Sequence, residues 1–187
     1  DYCYHVAGVV GEMLSDLFDE YYRQQNIAGA PERQALQKLA ISFGQGLQMT
    51  NILKDIWDDQ QRNICWLPRS LFEKHGVDLS DLALARGSDG FQLAINELVG
   101  VATTHLRDAL DYTLAIPRQE KGMRRFCLWA IAMALLSLRN IYLRPHFTDS
   151  AQVKISRRTM HTAITISSLA AGHNLALRIL FNLVARR

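Results

Sequence analysis

Apolar residues recur at helical spacing along almost the whole chain. Between residues 2 and 25 they fall at 6, 9, 10, 13, 14, 17 and 18, the three-and-four alternation that gathers side chains on one side of an α-helix. Gly29-Ala30-Pro31 breaks this run. The pattern resumes through Leu36, Leu39, Ala40, Phe43, Leu47, Ile52 and Ile56 to about Gln60, predicting a second helix with Pro31 in its first turn. Residues 68–87 read as short helical turns separated by loops at Lys74-His75-Gly76 and Gly87-Ser88-Asp89-Gly90. Residues 91–116, 121–143 and 157–184 predict three more helices. Alternation of period two is nowhere sustained over a strand length, so the fold expected is all-α. Prolines at 31, 68, 117 and 145 punctuate the segments without interrupting them. The apolar stretches at 126–138 and 163–171 fall short of the roughly 20 residues a membrane span needs, and are expected to be buried core helices.

Composition narrows the reading further. With 187 residues, 49% hydrophobic and 21% charged, the chain is sized for a single domain, 1–187, with a substantial core. A net charge of +3 is too small for a nucleic-acid footprint, so no nucleic-acid partner is expected. Cys3, Cys65 and Cys127 are odd in number and lack C-x-x-C spacing, which predicts neither a disulfide framework nor a zinc site and favours a reducing, cytoplasmic setting. The chain opens in Asp1-Tyr2-Cys3-Tyr4 without the basic and apolar stretches of a secretory signal, as though in the middle of an element.

The second helix carries the chemistry. At ~100° per residue, Gln48, Asn51, Asp55, Asp59 and Arg62 share an arc of roughly 80°, bordered by Met49, Ile52, Leu53 and Ile56. Such a polar stripe beside the core can line a cavity. Asp55 and Asp59 repel one another, and Lys54, the cation nearest them, is expected to project elsewhere. A hard divalent cation such as Mg²⁺ would relieve that repulsion and bridge to a substrate diphosphate. The competing reading is a solvated helix face. Asp16-Leu17-Phe18-Asp19-Glu20 offers similar spacing without amide ligands upstream, and is read as surface.

The run Phe43-Gly44-Gln45-Gly46-Leu47-Gln48-Met49-Thr50-Asn51-Ile52-Leu53-Lys54-Asp55-Ile56-Trp57-Asp58-Asp59, followed by Trp66-Leu67-Pro68, closely resembles the second aspartate-rich motif of squalene and phytoene synthases. Tyr2-Cys3-Tyr4-His5-Val6-Ala7-Gly8-Val9-Val10-Gly11 resembles the same family's Tyr-Cys-x-x-Val-Ala-Gly helix. Gly122-Met123-Arg124-Arg125-Phe126-Cys127 is similar to a later aromatic-containing helix start. Val153-Lys154-Ile155-Ser156-Arg157 is similar to the Val-Lys-Ile-Arg segment of squalene synthases, with a serine intervening.

The resemblance implies an isoprenoid-synthase-type helical bundle that condenses two prenyl diphosphates, such as farnesyl diphosphate, head to head. Asp55, Asp59 and Asn51 would hold Mg²⁺, with Gln48, Asn51 and Lys54 at the diphosphate. Tyr2 would be the catalytic tyrosine, a proton relay rather than an unaided base, since a free phenol keeps its proton at neutral pH. Phe126 would line the cavity while packing in the core. Ala7 and Gly11, with Gly8, form a small-residue stripe that admits either a prenyl chain or another helix. Lys154 and Arg157 would meet the phosphates of NADPH if a reductive second step occurs. The alternatives are phytoene or dehydrosqualene synthesis, or a non-catalytic helical scaffold or assembly factor of the same fold.

The family's first aspartate-rich motif precedes the tyrosine helix, and no such segment stands here. The chain is therefore expected to be a partial domain, inactive alone, with one cavity wall open. Apolar residues mixed with Arg178, Arg186 and Arg187 predict at most peripheral membrane contact. Oligomeric state is not legible in the sequence.

Overall fold

The computed structural model describes residues 1–186. A π-helical turn at Tyr4–Gly8 leads into α1 (Val9–Gln25), followed by α2 (Arg33–Lys54), α3 (Ile56–Gln60) and α4 (Arg69–Lys74). A 3₁₀ turn at Leu79–Asp81 precedes α5 (Leu82–Ala85), α6 (Asp89–Ala115), α7 (Lys121–Leu143), α8 (Ser150–Val153), α9 (Arg157–Ala170) and α10 (Asn174–Ala185). No strand occurs among the described residues. The all-α reading holds.

The boundaries follow local chemistry. Asn26 closes α1 in the left-handed conformation, φ 51°, three residues before the glycine expected to break it. Helix α2 begins at Arg33 with Glu32 extended at its cap, so Pro31 stands outside the helix and not in its first turn. Ser88 caps α6 by accepting from the Phe91 N–H at 3.2 Å. The single helix expected over 157–184 is two helices, parted by a turn around Gly172, and Ser156 caps the first by accepting from the Thr159 N–H.

Helix α6 is the axis, burying Phe91, Ile95, Val99, Ala102, Leu106 and Leu110 along its length, and α2 packs most extensively against it. Helix α7 lies beside both and is flanked on its far side by α9 and α10. By length and composition α7 could cross a membrane, as the 126–138 stretch alone could not; here it packs in the bundle through Leu128, Ile131, Leu135 and Leu138, while Phe126, Trp129 and Met133 are exposed.

The apolar row Val6, Val10, Met13 and Leu17, running from the π-helical turn into α1, is exposed, because small or slender residues, Gly11 and Ser15 among them, form the packed face. The expectation of a buried helix over 163–171 fails. On α9 only Ser167 is buried, and Ile166 and Leu169 are exposed, so 163–171 is a peripheral helix and not a core one. Exposed apolar rows of this kind mark surfaces built for contact.

Candidate active site

The acidic face stands where α2 meets α3. Helical hydrogen bonds run through the junction, from the Asp55 N–H to Asn51 O at 2.9 Å and from the Asp59 N–H to Asp55 O at 2.8 Å, although Asp55 itself (φ −101°, ψ 12°) kinks the rod. Asn51, Asp55 and Asp59 therefore stay in line. Ile56 and Trp57 fix the rotation of α3, because Trp57 is buried among Phe91 at 6.0 Å and Phe147 at 6.3 Å, with the Arg86 guanidinium 5.5 Å over its ring. Burying that side turns the aspartates outward.

Lys54 does not project elsewhere. Its flexible stem folds back so that Nζ lies 3.3 Å from Asp55 Oδ2 and donates to Asn51 Oδ1 at 3.4 Å, while Arg62 Nη1 stands 3.9 Å from Asp59. Two side-chain cations thus sit where the acidic face draws positive charge. The control cluster on α1 is surface, as expected: Asp19 and Glu20 pair with Arg23, and Asp16 pairs with Arg33.

Beside this face lies a cavity of about 350 Å³, into which Asn51 and Lys54 reach from α2, Met133 and Ser137 from α7, and Lys154 and Met160 from the α8–α9 region. The convergence of Lys154 with Asn51 and Lys54 was not legible in the sequence, where Lys154 was assigned to NADPH together with Arg157. Arg157 is instead the exposed first residue of α9 and does not line this cavity. Gln48 is half-buried one turn before Asn51 and lies outside the lining, as do Asp55 and Asp59, which follow Asn51 along the same helical face. Phe126 is 58% exposed, so the expectation that it packs in the core is wrong; at spacings of four, three and four it continues the α7 row of Ala130, Met133 and Ser137.

Tyr2 is 39% exposed and stacks face to face on Trp66, with ring centroids 4.1 Å apart and planes 15° from parallel. Trp66 in turn shares a narrow crevice with Asp59. The tyrosine helix and the tail of the acidic motif therefore meet at one edge of the site. In the sequence Trp66 is marked only by its place in the Trp66-Leu67-Pro68 tail.

Gly11 does not face a ligand space. A Cβ on Gly11 would stand 1.9 Å from the Ala40 carbonyl oxygen, and one on Gly44 1.9 Å from that of Ala7. At Gly11 the small-residue stripe is filled by the backbone of α2, so there it takes a helix and not a prenyl chain, and the Ala7 carbonyl meets α2 as well. Farther along α2, Ser42 Oγ donates to Asp108 Oδ2 at 2.7 Å and lies 2.6 Å from His105 Nδ1, tying α2 to α6. Burial holds the His105 imidazole below its usual range, against the opposing pull of Asp108.

Asn51, Asp55 and Asp59 together present two carboxylates and an amide oxygen, a hard donor set that already attracts the Lys54 ammonium. Among the described residues no group of three or more His, Cys, Asp or Glu could hold a metal by itself. Two carboxylates and one amide oxygen are fewer donors than the octahedral site of Mg²⁺ takes, so such an ion here would draw its remaining oxygens from a ligand and water.

A profile of the squalene/phytoene synthase family matches residues 1–159. The chain belongs to that family. The chain is 32% identical over 181 residues to the squalene synthase of Candida albicans, covering 91% of this chain and 37% of that protein. Against the squalene synthase of Schizosaccharomyces pombe the identity is 31% over 144 residues, 77% of this chain and 30% of that one. Against the phytoene synthase of Thermus thermophilus it is 35% over 109 residues, 58% and 34% of the two chains. A solved structure of TcSQS with a ligand superposes with a TM-score of 0.74 at 23% identity, covering 98% of this chain and 52% of that one, a likeness of fold. The chain thus spans about a third of the length of the curated relatives it matches.

Proposed function

We propose that this chain carries the second-aspartate half of a prenyltransferase site that joins two prenyl diphosphates head to head, with farnesyl diphosphate the favoured substrate. What supports the reading most is the cavity shared by Asn51, Lys54 and Lys154 beside Asp55 and Asp59, with largely apolar walls behind them. In the reaction, a C–O bond breaks with its electron pair leaving on diphosphate, the double bond of the second substrate attacks the allylic carbon, and loss of a proton closes a cyclopropane ring. Asp55, Asp59 and Asn51 would hold Mg²⁺, which when bound supplies positive charge to the departing diphosphate.

The chain's own groups do the remaining work. Lys54 and Lys154 bring ammonium charge to the phosphate oxygens from opposite sides of the cavity. Leu47, Met133, Ile155 and Met160 keep water from the allylic cation. Phe126, on the same α7 row, and the Tyr2–Trp66 pair would offer aromatic faces to positive charge, and the Tyr2 hydroxyl would relay the proton. Lys154 serves the leaving diphosphate in this reading, and a reductive NADPH step remains a second role for the Lys154–Arg157 segment.

The test begins with calorimetric titration of this chain with farnesyl diphosphate, with and without Mg²⁺. Mg²⁺-dependent binding that Asp55→Asn weakens at least tenfold is expected. Binding indifferent to Mg²⁺ and to Asp55→Asn would favour a scaffold and reject the site. Product analysis of the full-length protein with farnesyl and geranylgeranyl diphosphates, with and without NADPH, then separates squalene, dehydrosqualene and phytoene formation.

A further inference from the structure

On the opposite face of α7 from the candidate active site, a slot of about 410 Å³ runs between α9 and α10. Its floor is Leu128, Ile131 and Leu135 of α7 with Leu110 of α6, and its walls include Ala163 and Ile166 of α9 and Phe181 of α10. Near the Gly172 turn α7 is held to both neighbours, Trp129 Nε1 donating to Ser168 Oγ at 2.9 Å and Arg124 Nη2 donating to Asn174 Oδ1 at 2.5 Å. Arg158, near the start of α9, is the charged residue of the lining, and it lies toward the end away from that turn with Thr159 and Thr162. A small adjoining crevice shares Leu135 and Val184 with the slot and adds Arg139 and Arg186. Neither lining contains an acid, and none of these three arginines takes part in an ion pair among the described residues.

An apolar trough with one unpaired guanidinium in its lining and two more in the crevice beside it suits a linear hydrocarbon chain with an anionic head. At about 30 Å³ per carbon, the share a water molecule takes in the liquid, the slot holds roughly a dozen carbons. A single arginine in the lining suits a carboxylate, whose two oxygens it can grip side by side. We propose that this slot binds a free medium- to long-chain fatty acid, its carboxylate on Arg158 and its chain along Leu128, Ile131 and Phe181. The site is independent of the prenyl diphosphate reading, because the body of α7 separates the two cavities.

The experiment is calorimetric titration of the chain with dodecanoate below its micelle concentration, with thermal unfolding measured in parallel. Saturable one-to-one binding and a raised midpoint are expected. Arg158→Ala, an exposed and structurally mild change, weakens binding about tenfold and leaves dodecan-1-ol binding unaltered. Ala163→Phe fills the slot and abolishes binding, its folding checked by circular dichroism, whereas Ala130→Phe, which fills the candidate active site, has no effect. Binding lost in Ala130→Phe but kept in Ala163→Phe would assign the fatty acid to the other cavity and overturn the proposal. Equal affinity for dodecan-1-ol, capture only by phosphatidylglycerol vesicles, or stronger Arg158-dependent binding of farnesyl diphosphate would also overturn it.

Discussion

Replacing Gly11 or Gly44 with alanine tests whether the α1–α2 seam is closed by backbone. Each new Cβ would stand 1.9 Å from a carbonyl oxygen of the facing helix, and real Cβ contacts do not fall below 3.0 Å, so the helices must separate by at least about 1.1 Å. The obstacle is backbone and cannot rotate away. Overpacking costs about 1–3 kcal/mol, and here the upper end applies, offset by up to about 1 kcal/mol because alanine is the better helix former. A net loss of about 2 kcal/mol lowers the unfolding midpoint of a chain this long by about 4–8 °C. Gly122→Ala is the matched control, since a Cβ there meets nothing within 4 Å, and it should raise the midpoint by about 1–4 °C. Thermal melts followed by circular dichroism at 222 nm read both signs. If Gly11→Ala and Gly44→Ala melt within 1 °C of the unaltered chain, the seam is open. The assignment of Gly11 to helix packing, and not to a prenyl chain, would then be wrong.

Asp59→Asn should remove Mg²⁺-dependent binding of inorganic pyrophosphate while shifting the melting midpoint by less than about 2 °C, because the side chain is partly exposed and loses only a loose pairing with Arg62. Lys154→Ala should weaken farnesyl diphosphate binding at low salt by about three- to tenfold, and unchanged affinity would remove Lys154 from the site. His105 has a depressed folded-state pKa, so between the unfolded value of 6.5 and the lower folded value the unfolded chain binds the extra proton. Stability should therefore fall as the pH drops below about 6.5. His105→Asn should flatten that slope in urea titrations at successive pH values, and an unaltered slope would place the titrating group elsewhere.

Periodicity along the chain determined what depends on neighbours within a turn or two. Lys121–Leu143 was legible as one helix because its apolar spacing and flanking residues act locally. The alignment of Asn51, Asp55 and Asp59 was legible for the same reason, since the hydrogen bonds through Asp55 preserve the helical register despite the kink. What lies across the bundle was decided by packing alone. Lys154 reaches Asn51 only because α7 and the α8–α9 segment fold back over α2, about a hundred residues away in the chain. The side of α1 that is buried was set by how closely two backbones can approach, so Gly11 and Ala7 became a seam while Val10, Met13 and Leu17 were left in water. A sequence states which faces are apolar; which of them finds a partner depends on the space the other helices leave.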